Sequence, residues 1–446
     1  PADRSARLDV RLELPDLAAF LADLGPKRPI GLALTGRSEL QASLITHAQL
    51  AAIDAQLAVK TFEFSGLPAG AAALFGREPA LRADLRYTFG DQLTVSQLEV
   101  IGVAARLAGS GSYRQNETAL AGRLTLTVPD LSALAPLVGQ PLAGAARLEA
   151  DVGGKLDAPQ LTARLMVRPL ALGGMTVDGL EAVAVVAGPL HAASGQLSLV
   201  ALRGSSQLQL NSRWRHSAQT LQLSELALLA PATQFAGQAQ IQLAGPLIDG
   251  ELAGAIEDLT ALEVWTGDRV AGRVDLKLEL ATQGGMQRAA VEAKVAKLAG
   301  RFGGLYDAVL KVNAEDLFGR PRLQATLEGR EFTQPSMRLR TVSAQLSGPA
   351  ADLGLVLFIE GERDVEAFQL RAEAAIAALG TPKRLVLYSL QGLVGGRTLS
   401  LRQPATAVLD GGVLSIDELD LVLGDGEIRG GLHLEPAQVR GFAEIE

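Results

Sequence analysis

The chain has no cysteine, which rules out a disulfide framework and a thiolate metal site. Aromatic residues are only 4%, with Phe 12, Tyr 4 and Trp 2. No run of about 18 apolar residues appears, so no segment reads as a membrane-spanning helix. Net charge is −8 with the signs interspersed, and no basic patch interleaves with aromatics, which argues against nucleic acid as a partner. The four histidines, His47, His191, His216 and His433, have no partners at HExxH or H-x3-H spacing and read as surface or strand-edge residues. No GxGxxG, P-loop or GxSxG pattern opens a helix after a strand. Asp425-Gly426-Glu427 and Asp410-Gly411-Gly412 invite a calcium reading, but the GGxGxD repeat of calcium-binding β-rolls is missing, so they read as turns. The expectation is a protein that is not an enzyme and uses no cofactor or metal. The chain starts at Pro1 inside a strand pattern, without a signal peptide, and reads as a section of a longer protein.

What is present is an internal repeat. Residues 122–152 lie over residues 250–280 without a gap: Gly122 falls on Gly250, Asp130 on Asp258, Gly139 on Gly267, Gly144 on Gly272 and Leu148 on Leu276. The opening Pro15-Asp16-Leu17 matches Pro129-Asp130-Leu131. An L-x4-L-x10-G spacing occurs three times, at Leu93, Leu98 and Gly109, at Leu221, Leu226 and Gly237, and at Leu414, Leu419 and Gly430. Repetition implies stacked supersecondary units. The chain reads as one continuous array over 1–446, with approximate units 1–86, 87–213, 214–340 and 341–446.

Strict alternation dominates. In RVDLKLEL, Val274, Leu276, Leu278 and Leu280 oppose Arg273, Asp275, Lys277 and Glu279. Leu8, Val10, Leu12 and Leu14 oppose Arg7, Asp9, Arg11 and Glu13 in the same way, and Leu124, Leu126 and Val128 oppose Arg123, Thr125 and Thr127. Successive strand side chains alternate faces, so these are half-buried strands. Turn residues at Asp157-Ala158-Pro159, Gly188-Pro189, Gly245-Pro246, Gly348-Pro349, Gly411-Gly412 and Asp425-Gly426 punctuate them. Strands recur roughly every 10–14 residues, which predicts an all-β array of roughly 30–35 short antiparallel strands. Short amphipathic helices of two turns are expected after Asp16, Asp130 and Asp258, since Asp is a good N-cap. Residues 383–394 read as helix or strand.

The apolar face needs a cover. A facing sheet would fill it with side chains; alternatively, the sheet forms an open groove filled by a ligand's hydrocarbon. The second reading makes Leu8, Val10, Leu12, Leu14, Leu124, Leu126, Val128, Leu148, Val152, Leu252, Ile256, Val274, Leu276, Leu278 and Leu280 candidate lining residues. The scarcity of aromatics leans toward the groove. A purely structural β-solenoid would show Asn and Thr ladders and a regular coil period, and neither is present.

Residues 128–165, VPDLSALAPLVGQPLAGAARLEADVGGKLDAPQLTARL, and residues 403–434, QPATAVLDGGVLSIDELDLVLGDGEIRGGLHL, resemble the repeats of the TamB family in the AsmA-like superfamily. The likeness is spread over most of the chain and rests on repeat texture, on the phrase from Val152 to Leu161 and on the L-x4-L-x10-G spacing. It implies an elongated β-taco groove in the middle or C-proximal part of a periplasmic protein, anchored in the inner membrane by a segment outside this chain. It also implies carriage of phospholipid acyl chains from inner to outer membrane in support of outer-membrane biogenesis. The competing implication is a scaffold for assembling outer-membrane β-barrels such as autotransporters, with a barrel partner of the TamA type. The family's N-terminal anchor and C-terminal domain do not appear in this sequence.

Overall fold

The alternating runs become strands almost everywhere. The computed structural model describes residues 6–15, 35–47, 51–245, 247–301, 303–334, 336–377, 383–410, 413–435 and 438–445. Strand accounts for 75% and helix for 6%. Among the described residues there are 29 strands, close to the number the spacing predicts, and three short helices with brief 3-10 turns. None of these helices is long and apolar enough to cross a membrane.

The chain divides into two units, Pro1–Ala218 and Gln219–Glu446. In the first, successive strands from Ala6–Leu14 to Ser206–His216 pair antiparallel in chain order, and the short Met175–Val177 folds back on Ala158–Leu172. The second runs likewise from Thr220–Ala230 to Gln438–Ile445. There Arg397–Leu401 and Ala405–Asp410 share the neighbours Lys383–Val394 and Val413–Leu423, so they are one strand split at 402–404. Residues 383–394, ambiguous in sequence, are strand.

The two aligned copies fold alike. Strands Ala119–Val128 and Ile248–Ile256 each end at the capping aspartate. Asp130 accepts from the Ser132 amide (2.9 Å) and hydroxyl (2.7 Å), and Asp258 accepts from the Thr260 amide (2.9 Å) and hydroxyl (2.7 Å). A 3-10 turn then runs into one α-turn, over 131–138 and 259–266. Gly139 (φ 71°) and Gly267 (φ 77°) end these turns in the left-handed region that favours glycine. The helix expected after Asp16 lies outside the described residues, as do Pro246 and Gly411-Gly412. A further helix, Ala69–Phe75, forms with no side-chain cap to signal it in the sequence. Two turns sit slightly off the expected places: chain reversal occurs at 156–157 and 350–351, while Pro159 and Pro349 belong to strands.

The L-x4-L-x10-G spacing marks a β-bulge. A spacing of five would put two leucines on opposite faces of a regular strand. The register shifts between Val95 and Leu98, between Leu223 and Leu226, and between Ile416 and Leu419. Each shift adds one residue, which returns the second leucine to the face of the first. The glycine sits opposite that second leucine, as in Leu98↔Gly109, Leu226↔Gly237 and Leu419↔Gly430. A Cβ at Gly237 would lie 2.1 Å from the Glu251 carbonyl oxygen, so a side chain there would force the strands apart.

Among the described residues the strands carry no full covering layer. The accessible surface is 27208 Å², whereas two globular units of half the mass each would expose about 19,000 Å² together. Among the described residues few side chains are buried, and alanine is the commonest of them. The exception is a small core at one strand rim of the first unit. There Leu74 of the helix and Leu131 of the capped turn pack with Ala105, Val128, Ala146 and Val167.

Candidate functional site

The strand registers line the apolar residues up across strands. In the first unit one unbroken row of paired positions runs through Leu12, Leu40, Val59, Leu81, Val100, Leu107, Leu126, Leu148, Leu165, Ala182, Leu199 and Leu210. In the second unit a row runs through Leu226, Gly237, Leu252, Leu278, Val291, Val312, Ala325, Leu346, Leu355, Ala374, Leu387 and Ala405. Parallel rows flank it. Gly254, Leu276, Ala293, Leu310, Leu327, Ala344 and Leu357 form one. From Ile248–Ile256 to Met337–Pro349, four such rows carry only apolar side chains or glycine. Four rows two residues apart make a band roughly 20 Å wide.

The candidate lining residues fall on these faces. Leu8, Val10, Leu12 and Leu14 pair with Leu44, Ala42, Leu40 and Ser38; Leu8 and Leu12 are exposed. Leu124 pairs with Ala150, Leu126 with Leu148, and Val152 with Gly122. Leu252 pairs with Leu278, Ile256 with Val274, and Leu276 and Leu280 with Gly254 and Gly250. Most are half-buried, and no described layer covers them. Val128 differs. It is 3% exposed within the rim core, where Leu74 and Leu131 pack with it, so it belongs to that core rather than to an open lining. The sequence did not show this, because the helix that supplies Leu74 lies over fifty residues upstream and carries no cap signal.

The opposite face is charged and largely self-neutralised. Asp275 is paired with Lys294 in the register, and Lys277 with Glu292. Arg273 bonds Asp275 at 2.7 Å, Lys277 lies 2.5 Å from Glu279, and Lys294 lies 3.3 Å from Glu292. The Arg273 hydrogen bond holds the Asp275 carboxyl below the usual carboxylate range, and the Glu279 hydrogen bond raises Lys277. Such exposed pairs contribute little to stability, because water and salt screen them. Their role is solvation and register rather than stability. Hollows open on this face too. One of about 600 Å³ is lined by Asp9, Arg11, Arg82 and Asp84 beside Val10 and Leu57, a mixed wall rather than a hydrocarbon one.

At one rim of the second unit the apolar band ends in a polar staple. Gln287 is 2% exposed. Its amide oxygen accepts from the Ile248 amide at 2.7 Å, and its amide nitrogen donates to the carbonyls of Ile248 (2.8 Å) and Arg288 (3.0 Å). The strand Met286–Gly300 thus reaches across its neighbour to Ile248–Ile256.

Among the described residues, no group of three or more His, Asp or Glu side chains could hold a metal ion. His47 bonds Asp54 at 2.6 Å, and Arg86 bonds the same carboxylate at 2.8 Å. Glu427, a member of the calcium reading, is taken by Arg402 and Arg429. No family model matches the chain, and no curated protein does.

Proposed function

We propose that this chain is a section of a bridge-like lipid transfer protein of the TamB type, whose apolar face carries phospholipid acyl chains past one strand after another. The observation that supports it is continuity. Within each unit the register aligns apolar residues over twelve strands, and the bulges restore that alignment wherever a strand gains a residue. Transfer of hydrocarbon needs such an unbroken surface, because burial of apolar area is the driving force and any charged gap is a barrier. A scaffold that guides β-barrel strands by edge pairing needs only a free edge; it gives the wide apolar band no part. An inner-membrane anchor, a TamA-type partner and a periplasmic location belong to the same proposal.

Leu276→Arg tests it. Leu276 is half-buried in the centre of the band, and Arg can lift its guanidinium to solvent there. The variant is expected to keep its β circular dichroism and to lose phospholipid co-purification and transfer between vesicles. If the face were a packed core, the same change would unfold the unit by several kcal/mol, about the cost of a buried unpaired charge. A folded variant with normal lipid transfer would remove the lipid reading.

A further inference from the structure

Beyond the four rows, four adjacent strands of the second unit each carry one extra residue at the same height. The register shifts once between Ala271 and Arg273, opposite the strand Met286–Gly300, and again between Leu339 and Thr341. Between these two shifts the register is constant but skips a pair in each ladder. Ala296↔Asp307 and Leu298↔Leu305 flank Lys297 and Tyr306. Asp307↔Arg330 and Leu305↔Phe332 flank Tyr306 and Glu331, and Arg330↔Thr341 and Phe332↔Leu339 flank Glu331 and Arg340. Lys297 and Glu331 have φ 52°, the left-handed backbone of a bulge.

The extra residues reverse the parity of everything beyond them. Counted along the sequence, Leu339 and Val342 are three apart and belong on opposite faces. The neighbouring strand Leu353–Arg363 has no extra residue, so Ile359 and Gly361, two apart, share a face. Ile359 pairs with Val342 in the apolar band, and Gly361 pairs with Leu339. Leu339 therefore lies on the apolar face, and with it Phe332, Leu305 and Leu298, its partners in turn. On the other side Gly361 pairs with Phe368. All of these except the buried Gly361 are half-buried; in the skipped column Lys297, Tyr306 and Arg340 are exposed, Tyr306 at 61%, and Glu331 is half-buried in its ion pair with Arg338. The first unit shows the same device independently. Its register shifts between Gly144 and Ala146, and Leu170 beyond that shift packs against the apolar core with Leu126 and Leu165.

We infer that the acyl-contact face continues past this column onto a rim row of Leu298, Leu305, Phe332, Leu339 and Phe368, while the column itself, with Tyr306, turns outward. The inference rests on the lipid reading of the four-row band and extends it. It adds two phenylalanines to that surface, at its edge.

The test places a photoreactive benzophenone amino acid at Leu310, Leu305 or Tyr306 of the 446-residue chain. Each variant is incubated with vesicles of dioleoyl phosphatidylethanolamine and dioleoyl phosphatidylglycerol, irradiated, and weighed by mass spectrometry for lipid adducts. Leu310, in the central band, reports on the lipid reading itself. Adducts are expected at Leu310 and Leu305 and not at Tyr306. An adduct at Leu310 without one at Leu305, or one at Tyr306 as strong as at Leu305, overturns the rim row while leaving the band intact. No adduct at Leu310 overturns the lipid reading on which the rim row depends. Phe332 accepts the aromatic probe most conservatively, so it decides the rim row if the Leu305 variant does not fold.

Discussion

Asp130 and Asp258 show how single side chains fix the repeat. Each carboxylate takes two hydrogen bonds from the residue two positions on, at the point where strand becomes turn. The Ser132 amide and then its hydroxyl hold Asp130 below the usual carboxylate range; for Asp258 the Thr260 hydroxyl leads and the amide follows. A depressed folded-state pKa contributes stability that is present above the unfolded value of about 4 and lost as pH falls through the folded value. Asparagine caps equally well and does not titrate in this range. The double variant Asp130→Asn, Asp258→Asn is therefore expected to lose less thermal stability than the parent between about pH 6 and about pH 3. Melting curves at the two pH values check this; an equal loss in both proteins would remove the caps as acid-sensitive elements.

Strand pairing is decided at the ends of ladders as much as along them. Gln287 substitutes for main-chain pairing at the rim, where the ladder between Ile248–Ile256 and Ala271–Gln283 stops at Gly250↔Leu280. Gln287→Met keeps the volume but leaves the Ile248 amide and carbonyl without that partner. Buried backbone groups left unpaired cost roughly 1–3 kcal/mol. The urea midpoint of the variant is expected to fall accordingly, with helix and strand content unchanged at zero urea. A midpoint equal to the parent's would show that water replaces the amide at no cost. The same strand carries Lys297 at the far rim, so one element both ends the apolar band on one side and opens its extension on the other.

The whole molecule exposes more surface than a globular chain of its mass, and that surface has two unlike faces. The charged face is built from exposed ion pairs that salt screens. The apolar face has no described cover. Raising salt from about 0.1 M to about 1 M is therefore expected to move the melting temperature little, because each exposed pair contributes so little. Phospholipid vesicles should raise it, since a ligand that binds only the folded state stabilises by mass action. Calorimetry under the two conditions separates the faces: strong salt dependence with no lipid effect would assign stability to the charged face and leave the apolar face without a ligand.

Much of this was legible in the sequence because a strand has a period of two. Arg273 to Leu280 alternates so strictly that only one register keeps charges in water, and the pairing of Leu252, Leu276, Leu278 and Leu280 follows. The Asp cap and the glycine nine residues later announced the turns, since few residues satisfy those hydrogen bonds or that φ. What only the tertiary structure decided lies where one strand gains a residue over its neighbour. Leu298, Leu305, Phe332 and Leu339 count as outward by parity, and a bulge is invisible until the partner strand is known. The odd spacing of Leu221 and Leu226 was visible, but its meaning came from Gly237 on the next strand. Likewise Val128 follows the alternation, and its burial comes from a helix distant in sequence that packs over the rim. Local periodicity fixes which side of a strand is apolar; contact between segments fixes where that side is covered, where it bends and how far it extends.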